Sequence, residues 1–206
     1  MSDFFSRYDV YAVAGSRYCY QDTNVLRNHF GIRDSAQLRS IEADISAARQ
    51  SELLENPVNG RFTSNHLCQI HRRLLSDVYP FAGHFRHEDI AKGDTRFLAH
   101  HEIPQKLKVL LIQLQQEHFL SGLDTDLLIR RSAYYMAELN YIHPFREGNG
   151  RVIREFMRLL YLRNGYRVDW GAVEVEELLQ AMIDSVFDTT HLESVLEQCL
   201  GKIESD

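Results

Sequence analysis

The stretch from Leu127 to Ile142 constrains the fold more than any other part of the chain. Leu128, Tyr135, Leu139 and Ile142 fall on one side of a 3.6-residue period, while Leu127, Ala133, Tyr134, Met136, Ala137 and Tyr141 spread around much of the rest. A helix that is apolar nearly all round has to be buried, so the other elements must surround it. Asp124-Thr125-Asp126 places a cap and negative charge at its start. At its end it runs directly into His143-Pro144-Phe145-Arg146-Glu147-Gly148-Asn149-Gly150-Arg151, with Arg154 three residues further on. The central helix therefore delivers its C-terminus to a loop that holds a base, a carboxylate, two glycines and several arginines.

The rest of the chain supplies that surround. Ser35 to Glu55 has a helical pattern (Leu38, Ile41, Ile45, Ala48, Leu53) and is broken by Asn56-Pro57-Val58-Asn59-Gly60. A second helix starts from a Thr63 or Ser64 cap and stops before Tyr79-Pro80. Ile103 to Leu120 is amphipathic, with Pro104 in its first turn. Arg151 to Arg163 is helical, and Val175–Phe187 and His191–Leu200 read as two closing helices. Between residues 81 and 100, Lys92-Gly93-Asp94-Thr95 joins two short, partly apolar stretches, which predicts an exposed β-hairpin. Residues 1–33 predict an irregular arm pinned by Tyr8, Tyr11, Tyr18 and Tyr20, with a short helical turn near Asn24–His29. The expectation is a mainly α protein, a helical bundle with one hairpin flap. It forms a single domain over 1–206, divided into an arm (1–33), a catalytic core (34–165) and C-terminal helices (166–206).

A net charge of −6 argues against wholesale nucleic-acid binding. No apolar run spans a bilayer, and Met1-Ser2-Asp3-Phe4-Phe5 lacks the features of a signal peptide. Cys19, Cys68 and Cys199 are far apart, with no metal spacing and no disulfide framework. These features predict a cytoplasmic protein with no direct nucleic-acid partner and no membrane partner. His84, His87, His100 and His101 lack the companion ligands of a zinc site and suit a hairpin surface.

The loop after the central helix has the parts of an anion site. Pro144 disfavours continued helix at His143. Gly148 and Gly150 let the backbone turn without a Cβ in the way, so that the N–H groups of residues 148–151 face one point at a helix N-terminus. Arg151 and Arg154 share a face of the following helix and can add charge-assisted bonds to phosphate oxygens. Glu147 is out of place beside an anion unless a divalent cation such as Mg²⁺ sits between the two. His143 has the titration range of a general base. Each residue alone has an ordinary explanation, as a turn, a cap or a solvated helix face. Their concentration in one twelve-residue window favours nucleoside triphosphate chemistry.

His143 to Arg154 resembles the Fic family signature HPFx(D/E)GNGRxxR at every defining position. Gly60-Arg61-Phe62, Ile70-His71-Arg72-Arg73-Leu74 and Phe81-Ala82-Gly83-His84-Phe85-Arg86 are similar to the family's upstream elements, with Phe81 where many members have Trp. The resemblance covers roughly residues 24–200. It implies a Fic fold and the transfer of AMP from ATP to a Ser, Thr or Tyr hydroxyl of a target protein. It further implies that His143 takes the hydroxyl proton and that Glu147 holds Mg²⁺. Gly148, Asn149, Gly150, Arg151 and Arg154 would surround the phosphates, with Arg61 and Phe62 near the nucleotide. The flap residues Lys92, Gly93, Asp94, Thr95, Arg96 and Phe97 would align the target.

Ser51-Glu52-Leu53-Leu54-Glu55-Asn56 matches the family's inhibitory pattern (S/T)xxxE(G/N). It nevertheless lies where a core helix is expected, so we read it as a chance match and expect a small antitoxin-like partner to supply the inhibitory glutamate. The branch resembled is that of toxins and secreted effectors, whose members modify type II topoisomerase subunits or small GTPases. The protein would act in the bacterial cytoplasm, or in a host cell if it is an effector. Transfer of another phosphate-bearing moiety, such as phosphocholine or UMP, and a catalytically idle nucleotide-binding module are the alternatives.

Overall fold

A computed structural model describes residues 15–92 and 95–203. Tyr8 and Tyr11 of the arm, and Gly93 and Asp94 of the flap tip, lie outside the described residues.

Among the described residues, seven helices form the bundle. These are α1 (Ser35–Glu55), α2 (Ser64–Leu75), α3 (Ile103–Gln116), α4 (Thr125–Ile142), α5 (Asn149–Arg163), α6 (Val175–Asp184) and α7 (Thr190–Cys199). Thr63 and Asp124 cap as expected, and Asp34 caps α1, the three side chains accepting from the His66, Leu127 and Gln37 backbone N–H groups. As its all-round apolarity requires, α4 lies among α3, α5, α6 and α7, while α2 packs on α1, α3 and α5. Leu128, Ala133, Tyr135, Met136, Leu139 and Ile142 of α4 are buried in a core that reaches from Cys19 to Cys199. Among the described residues no helix is long and apolar enough to cross a membrane.

The flap is a minimal antiparallel hairpin, β1 (Ala91–Lys92) against β2 (Thr95–Arg96), in the register Ala91 to Arg96 and Lys92 to Thr95. Its base is tied to the bundle where the Leu98 N–H donates to the Tyr141 carbonyl at 3.1 Å. A second two-stranded sheet pairs β3 (Tyr166–Val168) with β4 (Leu200–Lys202), so the expectation of a single hairpin falls short. Its strands lie some thirty residues apart in sequence and carry no local turn signal between them.

Three local expectations are corrected. There is no helical turn at 24–29. Instead Cys19 bridges Leu26 in antiparallel fashion, with Tyr20 and Val25 joined by a backbone bond, because Thr23 turns the chain back on itself. The helix from Ile103 ends at Gln116 rather than Leu120, since His118, Phe119 and Leu120 all adopt left-handed φ between 52° and 63°. The helix after the loop begins at Asn149 rather than Arg151, which puts the glycine-rich stretch inside its first turn.

Candidate active site

The end of α4 aims His143 by its backbone. His143 is the C-cap of α4 in the left-handed region (φ 45°, ψ 61°), where Pro144 follows and the helix stops. Its ring is buried, with Nδ1 lying 3.0 Å from the Asn140 carbonyl oxygen. A carbonyl can only accept, so Nδ1 carries the proton and Nε2 carries the lone pair. Phe97, at the base of the flap, stacks on the imidazole with centroids 3.7 Å apart and an 18° tilt. Burial, and then the nearby Lys92 and Arg86 charges, push the His143 pKa down to about 3, which keeps the ring neutral.

The loop after His143 is held from below. The Asn149 side chain accepts from the Phe145 N–H at 2.9 Å and donates back to the Phe145 carbonyl at 2.8 Å. Its amide is therefore committed to the loop itself, and a direct side-chain bond to a ligand is not what the geometry offers. His71 stacks on Phe145 (4.0 Å, 11°), accepts the Gly83 N–H at Nδ1 and donates from Nε2 to the Glu147 carbonyl. Arg86, 1% exposed, donates to the carbonyls of His143, Glu88, Leu98 and Ile142. Arg146 pairs with Glu88 at 3.0 Å, and Ser16 of the arm donates to the same Glu88 oxygen at 2.7 Å. Sequence reasoning gave His71 and Arg86 no role. Their signal was faint, since a buried histidine and a buried arginine are legible only once the fold has placed carbonyls around them.

Gly148 begins α5 as its N-cap, with φ 76°. A Cβ there would lie 2.4 Å from Leu75 Cδ1, so the position excludes side chains on two counts. The Gly148 N–H donates to Glu147 Oε1 at 2.8 Å. The amides at the anion site are thus those of Asn149, Gly150 and Arg151, which as the first N–H groups of a helix have no intrahelical acceptor. This moves the cradle one residue on from the 148–151 expectation.

The two arginines differ. Arg151 reaches Glu42 and Ser46 on α1 and lies 3.6 Å from Glu147. Arg154 has no carboxylate and no hydrogen-bond partner among the described residues, and burial followed by the charge of Arg151 pulls its pKa down to about 10. An arginine recessed in a cavity wall without a counterion is an anion-binding position by its electrostatics.

These groups share one cavity of about 560 Å³. His143, Glu147, Gly148, Asn149, Gly150, Arg151 and Arg154 line it, as do Lys92, Thr95 and Phe97 of the flap. Arg96 is exposed and is not among its lining residues. Arg61 and Phe62 do not line it either. Phe62 is buried against His66, Phe119 and Phe156, and Arg61 is exposed, so the structure does not bring this pair to the site. The opposite wall was not anticipated. Trp170, Val175, Leu178, Leu179, Met182 and Val186 make it apolar, and Asn140 pins that wall by donating to the Met182 carbonyl at 2.7 Å. Its apolar stripe reads in sequence as ordinary core.

Glu55 of the Ser51–Asn56 segment is exposed at the end of α1, and Glu52 pairs with Arg49 and Arg73. Neither carboxylate lines the cavity.

Comparison with known proteins places the chain among relatives of known family. The Fic/DOC family model matches residues 61–161. The chain is 38% identical over 186 residues to protein adenylyltransferase VbhT of Bartonella schoenbuchensis, covering 90% of this chain and 39% of that one. It is 33% identical to the probable protein adenylyltransferase Fic of Salmonella typhimurium, covering 90% of this chain and 92% of that one. The crystal structure of the N-terminal Fic domain of a VirB-translocated Bep effector protein from Bartonella quintana, with bound ADP, superposes with a TM-score of 0.83 at 25% identity, over 90% of this chain and 94% of that one. The family match, the curated relatives and the shared fold agree, and the chain belongs to the Fic/DOC family.

Proposed function

We propose that the chain is a protein adenylyltransferase that moves AMP from ATP to a Ser, Thr or Tyr hydroxyl of a target protein. The observation that carries this reading is one juxtaposition. A neutral imidazole with its lone pair on Nε2 shares a cavity with an open helix N-terminus and with Arg154, a cation that has no counterion among the described residues. The curated relatives are named as protein adenylyltransferases at 33–38% identity.

In this reading His143 Nε2 takes the proton of the target hydroxyl, whose oxygen attacks the α-phosphorus. The new O–P bond forms as the α–β bond breaks and pyrophosphate leaves. Asn149, Gly150 and Arg151 amides receive phosphate oxygens, and Arg154 meets the charge further along the chain of phosphates. Such chemistry rests on positioning and charge stabilisation. The apolar wall of Trp170, Leu178 and Met182 suits the purine base.

Glu147 fits a divalent cation. It lines the cavity, its side chain is a quarter exposed, and no second carboxylate lines that cavity among the described residues. This is the pattern for Mg²⁺ held by one carboxylate plus substrate phosphates. Bound there, Mg²⁺ would neutralise phosphate charge.

The target segment adds to the flap by strand-like pairing beside Lys92 and Thr95. A type II topoisomerase subunit or a small GTPase fits the branch resembled. Arg154 has no carboxylate beside it among the described residues, and Glu55 is exposed and away from the cavity, which supports an inhibitory glutamate supplied by a separate antitoxin. Glu55→Gly is then expected to leave self-adenylylation unchanged, and a sharp rise would show that Ser51–Asn56 is the inhibitor.

The deciding experiment supplies α-labelled and γ-labelled ATP with Mg²⁺ and cell lysate. Protein labelling from α alone is expected, and His143→Ala is expected to abolish it while ATP binding persists. Labelling from γ alone would make the enzyme a kinase, and labelling from neither would leave a nucleotide-binding module.

A further inference from the structure

We infer that Glu42, with Ser46 and Tyr79, is a positioning residue that holds the Arg151 guanidinium in its working orientation. The inference rests on the adenylyl-transfer reading above. Glu42, Ser46 and Gln50 stand four residues apart on α1, so they form one polar stripe on a helix face. The stripe faces the site: Ser46 is buried, the Glu42 side chain is 12% exposed, and Gln50, though exposed, lines the mouth of the cavity. Polar residues facing inward at this spacing call for partners, and Arg151 is the partner of two of them.

Arg151 donates from Nη2 to Glu42 Oε1 and from Nη1 to Ser46 Oγ at 2.9 Å. The Ser46 hydroxyl hydrogen points to the Ala43 carbonyl at 3.3 Å, which leaves its lone pairs for the guanidinium. The second oxygen of Glu42 accepts from the Tyr79 hydroxyl. Tyr79 follows α2 and is buried, so the carboxylate is gripped from a second element. Two of the five guanidinium N–H groups are thus engaged on the α1 side, and Glu147 Oε1 lies 3.6 Å from Nη2 on the loop side.

A long arginine side chain otherwise loses much of its rotamer freedom when it is ordered. A brace meets that cost during folding, so the cation is already aimed when charge develops at phosphorus. Glu42 also offsets part of the Arg151 charge, which tempers its attraction for the phosphates of bound ATP before reaction. Losing Glu42 should therefore lower kcat without raising KM for ATP.

The test measures α-label transfer to a target or to the chain itself for Glu42→Ala, Glu42→Gln and Ser46→Ala, alone and with Arg151→Lys. Glu42→Ala is expected to lose about 10- to 100-fold in kcat, with KM for ATP equal or lower. Glu42→Gln, which retains an acceptor, should lie between it and the wild type. With Arg151→Lys present, Glu42→Ala should add less than about threefold, because residues that act through one another are not additive. Melting curves identify folded variants, and Glu42→Gln carries the test if the alanine variant does not fold. A kcat for the glutamate variants within about twofold of wild type, or losses that multiply in the double variant, overturns the brace alone. Absence of α-label transfer by the wild-type chain instead overturns the adenylyl-transfer reading, and the brace with it.

Discussion

Arg86 donates from Nε to the carbonyl oxygen of His143 at 2.8 Å, from beneath the very residue whose ring is the candidate base. The same guanidinium bonds Leu98 and Glu88 on either side of the flap, and the Arg86 N–H donates to Pro144 at 2.9 Å. One buried side chain thus sets flap and loop relative to each other.

Arg86→Lys should be nearly as damaging as Arg86→Ala, because an ammonium cannot span four carbonyls held in a planar fork. Leaving buried carbonyls unsatisfied is expected to lower unfolding free energy by about 3–5 kcal/mol. Denaturant melts measure it, and a loss for lysine below about 1 kcal/mol would contradict the multidentate role.

Gly148→Ala meets two obstacles, a φ of 76° and a contact of 2.4 Å with Leu75 Cδ1. The expected destabilisation is about 1–3 kcal/mol for the clash, with the backbone penalty added. Leu75→Ala in the same chain should recover the clash part and leave the backbone part. If the double variant is as bad as the sum of the two single variants or worse, Leu75 is not the obstacle.

Arg154→Met should separate stability from binding. An uncompensated cation recessed in the wall opposes folding, so the variant is expected to be more stable than the parent without nucleotide, by about 1 kcal/mol or more. The rise in melting temperature that ATP gives the parent should largely vanish. A variant that melts lower and keeps the ATP response would show that Arg154 is structural.

Two buried neutral histidines predict acid sensitivity. Burial pulls the His71 pKa down to about 4 and that of His143 to about 3. Unfolded histidine titrates near 6.5, so below that pH the unfolded chain binds more protons and stability falls as pH falls. For His71 the loss reaches on the order of 3 kcal/mol by about pH 4 and is absent above about pH 7. His71→Gln should flatten this part of the stability curve while lowering the neutral plateau. An unchanged slope between about pH 6.5 and 4 would assign the acid loss to other groups.

Much of the architecture could be read from periodicity and punctuation. The all-round apolar pattern from Leu128 to Ile142 required a central helix, Pro144 ended it, and Asp34, Thr63 and Asp124 capped where local chemistry says they should. The candidate catalytic stretch was equally legible, because base, carboxylate, glycines and arginines are contiguous and their chemistry is local. Errors fell where distant segments meet. The pairing of Tyr166–Val168 with Leu200–Lys202, the bridge from Cys19 to Leu26 and the burial of Phe62 away from the cavity each depend on what the rest of the fold presents to them.

From sequence alone came the parts list and its order: a buried helix, a turn that only glycine permits, and a second helix bearing two arginines. Tertiary structure decided what each part touches. It committed the Asn149 amide to Phe145, gave Arg151 a brace and left Arg154 without one, chose the His143 tautomer through the Asn140 carbonyl, and made α6 a cavity wall. The physical reason is that helix formation and turn chemistry are short-range and written in neighbouring residues, whereas burial, pKa and charge pairing are set by groups that sequence can place more than a hundred residues away.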